Sequence, residues 1–334
     1  MMSRASVFSL LCLVMLSASC NTASKKVNVQ QVQVTRNENV LYRFDGKHIV
    51  SRLFLDGDSS LVALTQQEPF FTVIDTHTGS RKSTFGRKGR AAGEYLSAPQ
   101  GTNLREGKLQ FYDFAAKSLL SVSVPDGKTE LSPVPYRVDF RPLKMVEIQG
   151  VKVATGCLAN GRIAYIDSGQ TVKIGAEYPY RINGLSGIMR GVHLQDDIVA
   201  APNAPRFVVL SIASDCFEIY NVNNDGVERT FVNNFKYPPV IENGRRSFNK
   251  SMAGYIRCFV DNENIYLMYA EGSYNEASAG GLVSDTIDQY DWDGALVRTV
   301  KLPEKVGAFC VRDSVLFGAV EYPDRSDIVR YVIH

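Results

Sequence analysis

The chain has 334 residues, 45% hydrophobic and 22% charged, with 37 Lys and Arg against 35 Asp and Glu. That near-neutral balance gives no global field for nucleic acid, and 26 Gly with 13 Pro exclude collagen-like and low-complexity classes. The length allows a sizeable core, either as two domains or as one large all-β unit.

The first predicted element is an address. Arg4 precedes an apolar run from Val7 to Leu16. About ten positions suit a signal-peptide core, whereas a membrane-spanning helix needs roughly 20. Leu16-Ser17-Ala18-Ser19-Cys20 follows. Its small residues before Cys20 resemble the lipobox of bacterial lipoproteins, which implies cleavage before Cys20 and diacylglycerol on its thiol. Ser17 departs from the Leu commonest there. The alternative is an ordinary cleaved signal with an incidental cysteine. Residues 1–19 are therefore read as signal peptide and 20–38 as tether, with the membrane reached through the N-terminal lipid only. Asn21 to Lys26 carries two lysines and no acid. That favours outer-membrane anchoring on the periplasmic side over the cell surface.

From residue 39 onward, short alternating β-type runs dominate, separated by Gly, Asp and Asn turns. One weak helical turn is expected around Leu185 to Gly191. Five hairpins share one grammar, with turns at Thr78-Gly79, Asp126-Gly127, Ser168-Gly169, Asp225-Gly226 and Asp293-Gly294. Such pairs supply the positive φ of tight hairpins. Two further strand-like runs lie in each interval, and four strands per roughly 50 residues is one propeller blade. The predicted fold is an all-β six-bladed β-propeller of four-stranded blades over residues 39–334. Val306–Val311, Val315–Glu321 and Ile328–Ile333 supply three strands of the last blade, and the run 39–44 is left over as its fourth. An N-terminal strand completing the last blade would close the ring and remove its open edges. Deleting residues 39–45 should then lower the melting temperature sharply; an unchanged melt would refute the closure.

The segment Phe85-Gly86-Arg87-Lys88-Gly89-Arg90-Ala91-Ala92-Gly93-Glu94-Tyr95 resembles an inter-blade loop of six-bladed propeller lipoproteins, with Ala91-Ala92 where Gly-Pro is frequent. Together with Ala200-Ala201-Pro202-Asn203 and Gly254-Tyr255-Ile256-Arg257, it is similar to the TolB-like six-bladed family of Gram-negative bacteria. The resemblance implies a lipid-anchored propeller and brings no catalytic residue.

Chemistry-bearing residues are sparse. Cys157, Cys216, Cys258 and Cys310 lie 59, 42 and 52 residues apart. Buried free thiols are expected, with Cys258 and Cys310 the best disulfide candidates. His48, His77, His193 and His334 show no metal-ligand spacing, so neither metal nor cofactor is expected. The carboxylate pairs Asp56/Asp58, Asp196/Asp197, Asp291/Asp293 and Asp324/Asp327 are read as solvated turn caps. Arg81, Lys82, Arg87, Lys88 and Arg90 belong to a blade crossover with a solvated basic face rather than to a phosphate cradle.

Two insertions, 178–193 and 236–257, exceed ordinary connection length and mix aromatic with cationic side chains. Tyr180, Arg181, Arg190, His193, Arg245, Arg246 and Arg257 are the ligand-binding candidates. A third, Glu271 to Asp285, rich in Gly, Ser and Ala, is expected to be mobile. The functional expectation is a monomeric, non-catalytic binding or scaffolding module for an envelope protein, peptide or glycan. The alternative is a hydrolase or lyase acting on glycans or peptides. Converging carboxylates in the funnel would favour the enzyme, and an Arg/Tyr-lined mouth the binder.

Overall fold

The computed structural model describes residues 30–334 apart from 33, 47, 92, 125, 136–138, 159, 167–170, 182, 186 and 225. Cys20 and the Ser168-Gly169 turn lie outside the described residues. Six antiparallel sheets form the blades, taken in chain order as blades 1 to 6. Their innermost strands are Val50–Asp56, Asn103–Arg105, Phe140–Ile148, Asp197–Ala200, Met252–Val260 and Ala308–Arg312. Val, Leu, Ile and Phe fill both faces of these sheets because each blade is covered by its two neighbours. Six buried apolar clusters result, one in every gap between adjacent blades.

The last blade has three strands from the C-terminus, ending in Arg325–Ile333, and its fourth is the N-terminal strand Val34–Asp45. The two pair antiparallel, with Val34 opposite Ile333 and Asp45 opposite Arg325. Arg43 clasps Asp327 across this seam through two hydrogen bonds of 2.9 and 3.2 Å. The closing strand thus starts earlier than the 39–45 stretch read from sequence. Ordered strand reaches further back still, because Gln30–Val32 pairs parallel with Leu296–Val306 on the outside of blade 5. Val32 is buried in the gap between blades 5 and 6, so part of the expected tether is ring.

Among the described residues the hairpin grammar marks the same place in blades 1, 2, 4 and 5, the turn from third to fourth strand. The turn glycines have a second role that spacing does not show. A Cβ on Gly79 would enter the Leu41 carbonyl of the closing strand, and one on Gly294 would enter the Phe231 ring of blade 4. Each turn presses on the preceding blade. The glycine loop works likewise: Gly86 leaves room for the Tyr95 ring and Gly89 for the Glu94 carboxylate, which accepts the Ala91 N–H at 2.9 Å. Tyr95 is buried against Phe70, Phe71 and Phe111. The loop is a crossover that delivers Tyr95 to the core.

The four described cysteines outside the leader are free thiols, and burial raises their pKa values, that of Cys216 to about 11. The helical turn expected near Leu185 lies slightly later, as α1, Ile188–Leu194.

Gly79 and Gly57 both have positive φ, but a Cβ on Gly57 meets nothing within 4 Å. Alanine at either site costs about 1 kcal/mol of backbone strain. Gly79→Ala is expected to lose at least about 2 kcal/mol more than Gly57→Ala in urea unfolding, because it pushes the closing strand away. Equal losses would mean the seam does not bear on this turn.

Candidate ligand-binding cavity and the two mouths of the ring

Successive strands in a blade alternate direction, so the two mouths of the ring are built from different connections. One mouth carries the turns from second to third strand and the blade-to-blade crossovers, and both long insertions are such crossovers. The third insertion joins the second and third strands of blade 5, at the same mouth. There it forms α2, Tyr274–Ala279, with Ser273 and Glu276 in a reciprocal capping box. The segment expected to be mobile is an ordered helix, since that pair satisfies its first free N–H groups.

The three insertions interlock. Arg246 donates to the Leu194 carbonyl at the end of α1 at 2.9 Å, and Phe248 stacks on Tyr274 of α2 at 5.1 Å. Gly191 lets α1 lie directly on the Gly156 backbone of blade 3. Arg181 and Arg245 are exposed here, His193 is half-buried, and Arg190 donates to the Leu185 carbonyl at 3.2 Å. Arg246 is buried, so truncating it removes a structural bond as well as a charge. The Asp196/Asp197 reading also changes, because neither is a solvated turn cap.

Asp196 and Asp197 are consecutive and serve two separate networks. Asp196 takes a bidentate clasp from Arg162 at 2.9 and 3.0 Å between blades 3 and 4. Arg162 is fully buried; it also bonds Glu218, and Ser211 at 2.8 Å, which in turn contacts the Tyr180 hydroxyl at 3.2 Å. Burial raises the pKa of Asp196 against the pull of Arg162. Tyr180 therefore belongs to a wall of the ring, and burial raises its pKa as well. Removing one partner of such a cluster strands buried charge at a cost of about 3–5 kcal/mol.

Asp197 faces the axis. Arg52 of blade 1 bonds it, Lys144 of blade 3 reaches it at 3.1 Å, and Arg257 of blade 5 adds its field. Burial opposes the charge of Asp197, but these cations outweigh it and hold its pKa at about 2. Among the described residues Arg257 donates only to the neutral carbonyls of Gly307 and Ile256, at 3.1 and 2.9 Å. Burial, then the like charge of Arg52, lowers its pKa. Asn103 of blade 2 crosses to the blade 4 backbone, bonding the Ile198 carbonyl at 3.2 Å and the Ala200 N–H at 2.8 Å. Arg105 reaches the Ala201 and Ala204 carbonyls. The axis is crossed by polar side chains.

Below this crossing, toward the mouth made of first-to-second-strand turns, lies a cavity of about 450 Å³. Arg52 and Arg257 line its inner end, Phe54, Phe259 and Phe309 its walls, and Asp261, Glu263 and Asp313 its rim. A cavity of this size with few convergent polar groups suits a small ligand or the end of a larger one. Of the seven sequence candidates only Arg257 lines it; the other six sit in or beneath the insertion layer. Arg52 and Lys144 were missed; Arg52 carried a signal as the one cation inside Val50–Asp56, whereas Lys144 shares Phe140–Ile148 with Arg141 and Glu147. Among the described residues no group of three His, Cys, Asp or Glu is placed to hold a metal.

Two solved structures share this architecture. A candidate exported protein from Bacteroides fragilis superposes with a TM-score of 0.57 at 11% identity, over 90% of this chain and 95% of its own. A member of the DUF4221 family from Bacteroides vulgatus gives 0.51 at 10% identity, over 91% and 99%. No family model matches the chain, and no curated protein matches it either. At these identities the likeness is one of fold.

Because its folded pKa lies below the unfolded value of about 3.9, Asp197 contributes stability above pH 4 that is lost as pH falls through 2. The difference corresponds to about 2 kcal/mol. Asp197→Asn should be less stable than wild type by about that much at pH 7. The gap should close between pH 4 and pH 2 in denaturant titrations; a gap independent of pH would contradict the pairing.

Proposed function

We propose that the protein is a lipid-anchored envelope propeller of the TolB-like lipoprotein kind, acting as a non-catalytic binding or scaffolding module. Cys20 is the lipid site, and the periplasmic side of the outer membrane is the location the leader favours. The ligand is a protein, peptide or glycan presenting an anionic group to the axial cavity.

One observation carries this reading. Arg52, Lys144 and Arg257 converge from three blades on one carboxylate, Asp197. Among the described residues Arg257 hydrogen-bonds only neutral carbonyls, and an incoming carboxylate or phosphate would supply a directly bonded counter-charge. A glycosidase or peptidase site needs two groups whose pKa values are tuned against each other across a gap. Asp196 and Asp197 are instead directly bonded to different cations, Arg162 for one and Arg52 with Lys144 for the other. Glu321 adds negative charge near Arg257, and burial raises its pKa.

The test is thermal stabilisation by a small carboxylate panel of acetate, citrate and glucuronate, with peptides of free and amidated C-terminus. A ligand at 100 times its Kd stabilises by about 2.7 kcal/mol. At least one free-carboxylate compound should raise the melt of wild type and fail to raise that of Arg257→Gln. No shift with any compound, or equal shifts in both proteins, would count against the cavity. Turnover of glycan or peptide substrates by purified protein would restore the hydrolase.

A further inference from the structure

We infer that the cavity mouth faces the membrane and the interlocked insertions face away from it. The inference rests on the lipid-anchor reading of Cys20 and adds to it a direction, which the strand topology supplies.

Gln30–Val32 runs parallel to Leu296–Val306, with Gln30 opposite Arg298. Leu296–Val306 is the fourth strand of blade 5 and starts from the Asp293-Gly294 turn, on the cavity side of the ring. Arg298 itself lines the cavity. The chain therefore joins the ring beside the cavity and moves away from that face as it proceeds. Whatever precedes Gln30 departs on the cavity side.

Length then limits the anchor. Ten Cα-to-Cα steps separate Cys20 from Gln30, which reach at most about 36 Å when fully extended. Val306 pairs with Ser284 and Arg298 with Gln289, so climbing the flank of blade 5 between those levels takes five residues of the partner strand, about 17 Å at 3.3 Å per residue. Above Val306 stands the insertion layer, containing α1 and α2, and a helix with its side chains is about 10–12 Å across. Bringing the insertion mouth to a bilayer would stretch the tether to about 27–29 Å, well past the roughly 16–19 Å r.m.s. span of a flexible ten-residue chain. With the cavity face down, the same tether is slack.

The consequence is a division of labour between the mouths. The cavity opens into a gap no deeper than the tether permits, which admits small anionic groups or components displayed by the membrane itself. The insertion mouth is left for partners approaching from the aqueous side. It carries exposed Met189, Val192 and Phe248 beside the exposed Arg181 and Arg245.

The wild-type lipidated protein tests this without substitution. Lys108 and Lys128 lie at blade 2 turns on the cavity face, and Lys236 and Lys250 lie in the second insertion; Lys108 is half-buried and the other three are exposed. The protein is reconstituted into phosphatidylcholine vesicles containing a lipid with an amine-reactive ester on its headgroup. Labelled lysines are read by peptide mass spectrometry and normalised to labelling by the same ester free in solution. Lys108 and Lys128 should be labelled at least threefold more than Lys236 and Lys250. Equal or reversed labelling overturns the orientation while leaving the anchor intact. Cys20→Ser protein should remain in the supernatant when vesicles are pelleted. If wild type also remains there, the anchor reading fails and takes the orientation with it.

Discussion

Everything described above depends on one strand pairing, between Val34–Asp45 and Arg325–Ile333. The inner strands converge on an axis only if the sixth blade meets the first, and that gap is filled by Leu41 and Phe44 from the N-terminal strand with Leu53 and Ile74 of blade 1. The same strand receives the Gly79 turn from the next blade. A blade built from an N-terminal strand and three C-terminal strands cannot complete its core until both parts of the chain are present. This makes the contacts that close the ring the longest-range ones in the molecule, which is slow in folding terms and cooperative in stability.

Closure brings the axial charges together. Arg52, Lys144, Asp197 and Arg257 are far apart along the chain, yet each lies on an inner strand. Inner strands of neighbouring blades meet at the axis, so a charge on one of them faces charges from the others. The polar crossing made by Asn103, Arg105 and Asp197 ties blades 1, 2 and 3 to blade 4. It separates an insertion-covered mouth from an open cavity. Direction follows from the same geometry, because the closing strand enters beside that cavity.

The blade count and the strand-three to strand-four hairpins were legible because their signals are local, as Asp-Gly turns and alternating runs are. The closing strand was legible by elimination, as a run with no blade of its own. What escaped was set by convergence. Asp196 and Asp197 read as an ordinary polar pair at a turn, since the sequence does not reveal that Arg162 lies 34 residues away in the same buried cluster. The loops rich in Arg and Tyr form a packed cap, with Arg246 and Tyr180 serving structure. Arg257 was found for its place near an insertion, whereas its importance comes from lying on an inner strand. A Ser- and Gly-rich composition suggested motion in the third insertion, but Ser273 and Glu276 outweigh it by capping a helix.

The central claim is that the axial cavity holds an anionic ligand through Arg52 and Arg257. Native mass spectrometry of the protein gently released from its own membranes addresses it most directly. The account predicts a retained species of defined mass that is anionic once released, absent from an Arg52→Gln/Arg257→Gln variant that still folds. The same retained mass on both proteins, or a bare polypeptide with its lipid in both, would contradict it.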